Sequence, residues 1–348
     1  VADTRKIWLA KKAQTFLNLQ PGTDTSLINA IIDVIIKDKL HDEKFIEKRT
    51  ENYKTVKSSI AKNNIKKTAK LTGISQDAIE EAARTYANAE NAIILYGNGI
   101  TQHRSGNDNV KSLVNLALLT GNIGKECSGI YPLMGQNNGQ GAFNMGALPD
   151  FCTDFQPVSD ITVRKKFEKI YKTKLPKNKG LKIREMFDGA YKGKVKAMYV
   201  MGADPLMSEP DTTRVKKALG KLDFLIVQDI FMSNTAQYAD VILPAACFAE
   251  KDGTFTNIER RVQRIRKTVE APGKAKADWN IISELSTCMG YPMNYSSPEA
   301  VWEEIRKVSP NFAGINYQRL NNGGIQWPCP KTNHPGTKFL YEKKFPNG

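Results

Sequence analysis

Short apolar runs that are followed by glycine, aspartate or proline constrain this chain most, because they predict strands of a buried parallel sheet. Four such runs stand out: AIILY at 92–96, KAMYVM at 196–201, FLIVQ at 224–228 and VIL at 241–243. Segments with helical periodicity separate them, and continuous apolar strands that alternate with helices are typical of sheets covered on both faces. We therefore predict an α/β fold of doubly wound, mostly parallel sheets with flanking helices and right-handed crossovers.

Helical periodicity is clearest in three segments. Residues 24–40 place apolar side chains on one face, and Asp24 stands where an N-cap or first-turn acid would stand. Residues 75–89 predict a second helix, capped by Ser75, and residues 106–119 predict a third. These helices are expected to flank the strands.

The segment 127–150 is rich in glycine, asparagine and glutamine and has no usable periodicity. We expect a long loop that is either functional or disordered. Its run QNNGQ begins at Gln136, and side-chain amides both donate and accept hydrogen bonds, which suits a heterocycle such as a pterin. The alternative interpretation of this segment is a solvated low-complexity loop.

The net charge of +15 comes from 51 lysine and arginine residues against 36 acidic residues. The positive electrostatic field of such a protein can attract anionic substrates or nucleic acid. The lysines are dispersed from Lys6 to Lys344, however, and a dispersed set is more typical of a solvated surface. We therefore expect no nucleic-acid partner, with a basic nucleic-acid-binding protein kept as the minor alternative.

Several common classes of site lack their motif. The sequence has no phosphate-binding GxxxxGK[ST] loop, and Gly97-Asn98-Gly99 departs from the dinucleotide fingerprint because Gln102 occupies the third glycine position. No apolar stretch is long enough for a transmembrane segment. The histidines and cysteines are scattered, without metal-ligand spacing, at His41, His103, His334, Cys127, Cys152, Cys247, Cys288 and Cys329. Unpaired thiols of this kind favour a reducing, cytoplasmic location.

Three acids follow or lie near the predicted strands and are candidate ligand contacts: Asp204, Asp229 and Asp278. Ligands of open parallel sheets bind beyond the carboxyl ends of the strands. A carboxylate there can accept hydrogen bonds from ribose hydroxyls or from the paired N–H groups of a guanine edge. Helix capping or a surface turn is the competing explanation for each acid.

Longer motifs, taken together, resemble one family. They are YGNGITQHRSGNDNVKSLVNLALLTGNIG at 96–124, GIYPLMGQNNGQGAFNMGALPD at 129–150, MGADPL at 201–206, VQDIFMSNTAQYADVILPA at 227–245, EKDGTFTNIERRVQR at 250–264 and IQWPCP at 325–330. This combination resembles the molybdopterin oxidoreductases, and among them the catalytic alpha subunit of formate dehydrogenase. The resemblance covers nearly the whole chain.

The resemblance implies a bis-molybdopterin guanine dinucleotide cofactor that holds molybdenum or tungsten, and a 4Fe-4S cluster bound by a region before this chain. It also implies formate or a related small substrate and an electron-transfer subunit with iron–sulfur clusters or flavin. The implied contacts to the first dinucleotide are Asp3, Arg5, Gly22, Asp24, Gly97 and Gly99. Those to the second are Gly202, Asp204, Gln228, Asp229 and Asp278, with Gln136 on the loop that faces the pterins.

Two departures from the family matter. The cluster motif, the cysteine or selenocysteine metal ligand with its histidine, and the C-terminal domain are absent, so no catalytic or metal-binding residue is assigned here. We therefore expect part of a longer polypeptide that is inactive in isolation. Met134 stands where formate dehydrogenases carry an arginine, which would pair with the substrate carboxylate. A different substrate, or a non-catalytic or diverged pterin-binding relative, is the alternative.

The resemblance also divides the chain into lobes. Residues 1–135 would form a first, incomplete dinucleotide-binding α/β lobe, and residues 136–247 with 277–298 a second. Residues 248–276 and 299–348 would form a smaller lobe that packs partly toward the iron–sulfur region.

Overall fold

The computed structural model describes residues 1–346, which form two compact units. One unit contains Val1–Gly135 and residues 337–346, and the other contains Gln136–Gly336. The division after Gly135 coincides with the end of the first predicted lobe. Residues 248–276, assigned above to a smaller lobe, lie within the second unit. Whether either unit binds a dinucleotide stays a prediction.

The first unit is mainly helical with a two-stranded parallel sheet. Its elements are α1 Asp24–Lys37, α2 Glu43–Arg49, α3 Tyr53–Ile60, α4 Ile65–Thr72, α5 Gln76–Ala87, β1 Ile93–Tyr96, α6 Asn98–Thr101, α7 Gly106–Leu119 and β2 Gly129–Pro132, after a 3-10 turn at Trp8–Lys12. Helix α1 packs against α5 and α7 and buries Ile32 and Ile35 completely. The predicted helices are thus confirmed, and Ser75 caps α5 by accepting a hydrogen bond from the amide of Ala78.

The second unit contains three small sheets. Its elements are α8 Gly139–Asn144, β3 Phe151–Cys152, β4 Gln156–Pro157, α9 Ile161–Tyr171, α10 Ile183–Tyr191, β5 Ala197–Met201, α11 Pro205–Ser208, α12 Thr212–Leu219, β6 Phe224–Asp229, β7 Val241–Pro244, β8 Gly253–Thr256, β9 Arg261–Ile265, α13 Asp278–Cys288, α14 Pro298–Val308, α15 Tyr317–Leu320 and β10 Ile325–Gln326. Single 3-10 turns lie at Thr153–Phe155, Thr235–Tyr238, Phe248–Glu250 and Pro310–Phe312.

The parallel sheet β5-β6-β7 is the centre of the second unit and confirms the predicted α/β class. Its middle strand buries Leu225 and Val227, which pack with Phe187, Val215 and their neighbours from α10 and α12. An antiparallel sheet in the order β10-β9-β8 packs separately around Val262. All three strands of the parallel sheet coincide with apolar runs recognised in the sequence.

Two local expectations are wrong. Residues 127–150 are not one loop, because β2 and α8 lie inside them; β2 forms through long-range pairing with β1, which leaves no local periodicity. Strands β1, β5 and β7 are not covered on both faces, since Leu95, Met201 and Ile242 are 59%, 49% and 39% exposed. In the described residues β1 has one neighbouring strand, so its apolar run does not mean complete burial.

Truncation of Leu225 should destabilise the second unit strongly. Leu225→Ala removes a side chain that is 1% exposed, and such cavities cost about 2–5 kcal/mol of unfolding free energy. The matched control Leu181→Ala alters a side chain that is 46% exposed and should cost less than about 1 kcal/mol. Urea unfolding of both variants measures the difference, and equal losses would contradict the assigned core.

Candidate functional site

The carboxyl edge of the β5-β6-β7 sheet gathers the five residues predicted to bind the second dinucleotide. Gly202 follows β5, and its amide donates to the carbonyl of Gln228 over 2.8 Å. Asp229 ends β6, directly after Gln228. Asp278 begins α13, and the segment before it runs beside the end of β7 through a parallel bridge between Ala245 and Lys276. Parallel strands bring their carboxyl ends to one edge, which explains this grouping.

A hydrogen-bond network runs through Gln228, whose side chain is fully buried. Its Oε1 accepts from the hydroxyl of Tyr199, and its Nε2 donates to Asp278 Oδ1 over 2.7 Å. The other carboxylate oxygen of Asp278 accepts from the ammonium of Lys251, which also donates to the Ala246 carbonyl at 3.0 Å. The buried Gln228 therefore positions Asp278 directly and Lys251 through Asp278.

The same set of hydrogen-bonded residues affects the ionisation of Tyr199. Burial, together with the nearby negative charge of Asp278, raises the pKa of Tyr199. The phenol therefore stays protonated at neutral pH and can keep donating to Gln228. Sequence reasoning missed both Tyr199 and Lys251, because nothing in the local pattern separates a strand tyrosine or a loop lysine from its many counterparts.

Asp204 is saturated by its own loop. Oδ1 accepts from the amide of Thr235 at 3.1 Å and from its hydroxyl at 2.5 Å. Oδ2 accepts from the amide and the side chain of Asn234 at 3.0 and 3.2 Å. Burial alone would raise the pKa of Asp204, but these hydrogen bonds outweigh it and lower the pKa. A carboxylate offers about four acceptor positions, so Asp204 has none left for a ligand.

Asp229 differs from Asp204 in this respect. Its Oδ1 accepts from the amides of Ile230 and Phe231, at 2.7 and 3.3 Å, and so holds the turn after β6. Its Oδ2 accepts no hydrogen bond from the residues that the structure describes. The backbone of Gly202 has open space around it, since a Cβ built there would meet no atom within 4 Å. Its φ is +59°. The edge thus combines an open acceptor with an unobstructed backbone.

The predicted first-dinucleotide residues lie in the first unit, and the structure brings some of them together. Gly97 and Gly99 follow β1, and a Cβ built on Gly99 would meet nothing within 4 Å. The buried side chain of Asn109 joins this turn to the start of α1: its amide donates to the Ile100 carbonyl at 2.9 Å, and its oxygen accepts from Thr25.

Residues near the start of α1 therefore lie close to the glycine turn. Asp24, the first residue of α1, is next to Thr25 in the chain, and Gly22, with φ +80°, lies in the turn before α1. Asp3 instead accepts from the amide of Arg5 at 2.8 Å, and no hydrogen bond in the described residues joins this pair to the glycine turn. Sequence reasoning missed Asn109, which looks like an ordinary polar position on α7.

Gln136 opens the second unit as an exposed residue whose carbonyl accepts from the amide of Gly139 at 3.1 Å. Just after it, Asn138 Oδ1 accepts from the amide of Thr256 at 2.9 Å, which fastens the start of α8 to β8. The glutamine side chain itself makes no contact with the β5-β6-β7 edge among the hydrogen bonds described. Its role toward a pterin stays a prediction.

Residues 1–346 lack two structural features. None of their helices combines the length and apolar character needed to cross a membrane. No group of three or more histidine, cysteine, aspartate or glutamate side chains in this range is arranged to hold a metal ion.

A family model and the sequences of known proteins relate this chain to the same family. Residues 1–288 match the family model described as molybdopterin oxidoreductase. The chain is 51% identical over 347 residues to the F420-dependent formate dehydrogenase subunit alpha of Methanocaldococcus jannaschii, covering 99% of this chain and 51% of that protein. It is 43% identical over 354 residues to formate dehydrogenase H of Escherichia coli, covering 100% of this chain and 50% of that protein. The chain thus spans about half the length of the curated relatives it matches.

Among solved structures, acetylene hydratase from Pelobacter acetylenicus superposes with a TM-score of 0.72 over 94% of this chain and 47% of that chain. The sequence identity is 21%, so this likeness supports the fold alone.

Loss of the Asp204 carboxylate should release the 3-10 turn at Thr235–Tyr238. Asp204→Ala removes charge-assisted hydrogen bonds and should lower the unfolding free energy by about 2 kcal/mol at pH 7. Because the pKa of Asp204 is lowered in the folded state, this contribution is complete above about pH 4 and disappears as the pH falls below it. Urea unfolding across this pH range measures both effects.

The matched control is Asp223→Ala, which removes a surface carboxylate whose Oδ2 lies 3.6 Å from Lys196 Nζ. This variant should change the unfolding free energy by less than about 1 kcal/mol. An equal loss in both variants would contradict the role of Asp204.

Proposed function

Since this chain belongs to the molybdopterin oxidoreductase family, we propose that it forms the cofactor-holding part of an enzyme of the formate dehydrogenase type. Three relatives at 46–51% identity are alpha subunits of F420-dependent formate dehydrogenases, and another at 43% identity is formate dehydrogenase H. In the intact protein, formate would be oxidised to CO2, with two electrons and one proton passed on. The observation that carries the proposal is the open carboxyl edge of the β5-β6-β7 sheet, where Gly202, Asp229 and Asp278 lie together.

The edge suits the nucleotide end of a molybdopterin guanine dinucleotide. Gly202 leaves room for close backbone approach. Asp229 Oδ2 is an acceptor at the rim, the group that the N–H donors of a guanine edge require. Asp204 and Asp229 are both predicted contacts, and we assign the guanine to Asp229 because the acceptors of Asp204 are already used by Asn234 and Thr235.

Lys251 would supply positive charge at the same edge. Its ammonium donates to Asp278 and to the Ala246 carbonyl, so one of its three hydrogens remains for a phosphate oxygen. The fully buried Gln228 fixes Asp278, and Asp278 in turn fixes Lys251. We propose that this chain of contacts holds the phosphate donor in place before the cofactor arrives, which lowers the entropic cost of binding.

A second nucleotide would bind in the first unit at the turn after β1. Gly99 provides an open backbone there, close to Gly97, and Asn109 ties this turn to the start of α1 near Asp24. Asp3 and Arg5 would act only if the remainder of the protein brings them to the same ligand. Gln136 would face the pterins with its amide.

The bound metallopterin, with molybdenum or tungsten, would supply the two-electron chemistry. The residues of this chain bind and orient it and fix the positions of its charged groups. We propose that a 4Fe-4S cluster and a partner subunit with iron–sulfur clusters or flavin receive the electrons. Three of the relatives are alpha subunits of F420-dependent formate dehydrogenases, which supports a multi-subunit enzyme.

Met134 favours weak formate binding or a different small substrate as the second candidate. Its thioether offers no hydrogen-bond donor to a carboxylate, whereas an arginine at this position would offer a bidentate pair. The residue lies between β2 and Gln136, and its side chain is half-buried.

Removal of the Asp229 carboxylate should release guanine nucleotide from the intact enzyme. Asp229→Ala deletes the rim acceptor and should weaken binding of one dinucleotide about ten- to a hundredfold, corresponding to about 1.5–3 kcal/mol. The measurement is guanine nucleotide per metal after denaturation of the purified enzyme. Asp223→Ala, a surface carboxylate paired with Lys196, is the matched control and should keep the full content. Full content in the Asp229 variant would count against this edge as the nucleotide site.

Arginine at position 134 should strengthen formate binding. In the intact enzyme, Met134→Arg should lower the KM for formate about tenfold or more, through a charge-assisted pair with the carboxylate. Met134→Leu keeps the size and the apolar character and should leave the KM within about twofold. Steady-state kinetics with an artificial electron acceptor measures both. An unchanged KM in the arginine variant would favour a substrate without a carboxylate.

A further inference from the structure

A pocket of about 470 Å³ lies in the second unit, away from the carboxyl edge of the β5-β6-β7 sheet. Tyr171, the last residue of α9, forms one side, and Tyr291 and Tyr295 from the segment after α13 form another. Glu304 and Ile305 close it from α14. The pocket is therefore built from elements that the proposed cofactor site does not use.

Hydrogen bonds fix the tyrosine rings. The hydroxyl of Tyr291 donates to the main-chain carbonyl of Tyr171 at 2.6 Å. The hydroxyl of Tyr295 donates to Glu304 Oε1 at 2.9 Å. With their polar ends occupied, these rings are held in place and contribute aromatic surface to the pocket lining.

Glu304 gives the pocket its charge. Its Oε2 accepts no hydrogen bond from the described residues, and no lysine or arginine of this part of the chain lines the pocket. Burial raises the pKa of Tyr171 to about 12, with the charge of Glu304 among the further causes. Burial and the hydrogen bond to Glu304 likewise raise the pKa of Tyr295. These phenols stay neutral at physiological pH, so the glutamate is the source of negative charge in this lining.

We propose that this pocket binds an alkylammonium group, held by the tyrosine rings and by the carboxylate of Glu304. Aromatic faces attract cations through their quadrupoles, and a carboxylate beside them adds a direct ion pair. Anions are repelled by Glu304, and a neutral apolar ligand would bury Oε2 without a partner. Met293 and Ile305 provide apolar surface for the alkyl substituents.

The alkylammonium group has two sources with the same chemistry: a free small amine, or a lysine side chain presented by a partner subunit. Calorimetric titration distinguishes them. Choline serves as the free cation, 3,3-dimethylbutanol as its neutral isostere, and a short peptide with one trimethylated lysine as the side-chain source. Binding by choline points to a free amine, whereas binding confined to the peptide points to a partner; either result supports the pocket's assignment.

Variants of adjacent glutamates provide the decisive comparison. Glu304→Gln keeps the shape of the side chain and removes its charge, and we expect it to weaken cation binding about tenfold or more. Glu303→Gln is the matched control, because Glu303 pairs with Arg306 and lies outside the pocket lining. It should bind within about twofold of the unmodified chain. Circular dichroism and thermal unfolding verify that both variants are folded.

Three results would overturn the proposal. They are equal binding of the neutral isostere, equal affinity in the Glu304→Gln and Glu303→Gln variants, and no binding of either cation at millimolar concentration. The test needs no cofactor and no turnover, so its outcome is independent of the proposed formate dehydrogenase function.

Discussion

The buried amide of Gln228 is the constraint on which the candidate site depends. A fully buried side-chain amide must find partners, because an unpaired one costs about 1–3 kcal/mol. Gln228 finds them in Tyr199 from the neighbouring strand and in Asp278 at the start of α13. These contacts fix the first turn of α13 against the sheet and, through Asp278, fix the ammonium of Lys251. One buried residue thus determines where exposed charges stand.

The three aspartates at this edge illustrate how identical side chains acquire different roles. Asp204 gives all its acceptor capacity to Asn234 and Thr235 and becomes part of the scaffold. Asp278 is shared between Gln228 and Lys251. Asp229 spends one oxygen on its own turn and keeps the other at the rim. Which acid is available to a ligand therefore follows from the neighbouring donors, not from position after a strand.

Much of the fold was predictable from short windows of sequence. The strands at Ala197–Met201 and Phe224–Asp229 and the helix at Gly106–Leu119 follow directly from local apolar patterns. Grouping the strand-end residues at one edge also follows, because parallel topology requires it. Strand β2 did not follow, since only its pairing with β1 makes Gly129–Pro132 extended. The exposure of Leu95 could not be predicted from its strand either, because burial depends on neighbours outside the strand.

The sequence by itself determined the class of fold, the family and the candidate residues, because strand-end glycines and acids and long motifs are properties of contiguous residues. Tertiary structure alone decided which candidates have free hydrogen-bonding capacity. It placed Lys251 and Tyr199 in the site, and it assembled the tyrosine pocket around Glu304. The physical reason is that each polar side chain has a limited number of donors and acceptors, and contacts between residues far apart in the chain determine how they are used.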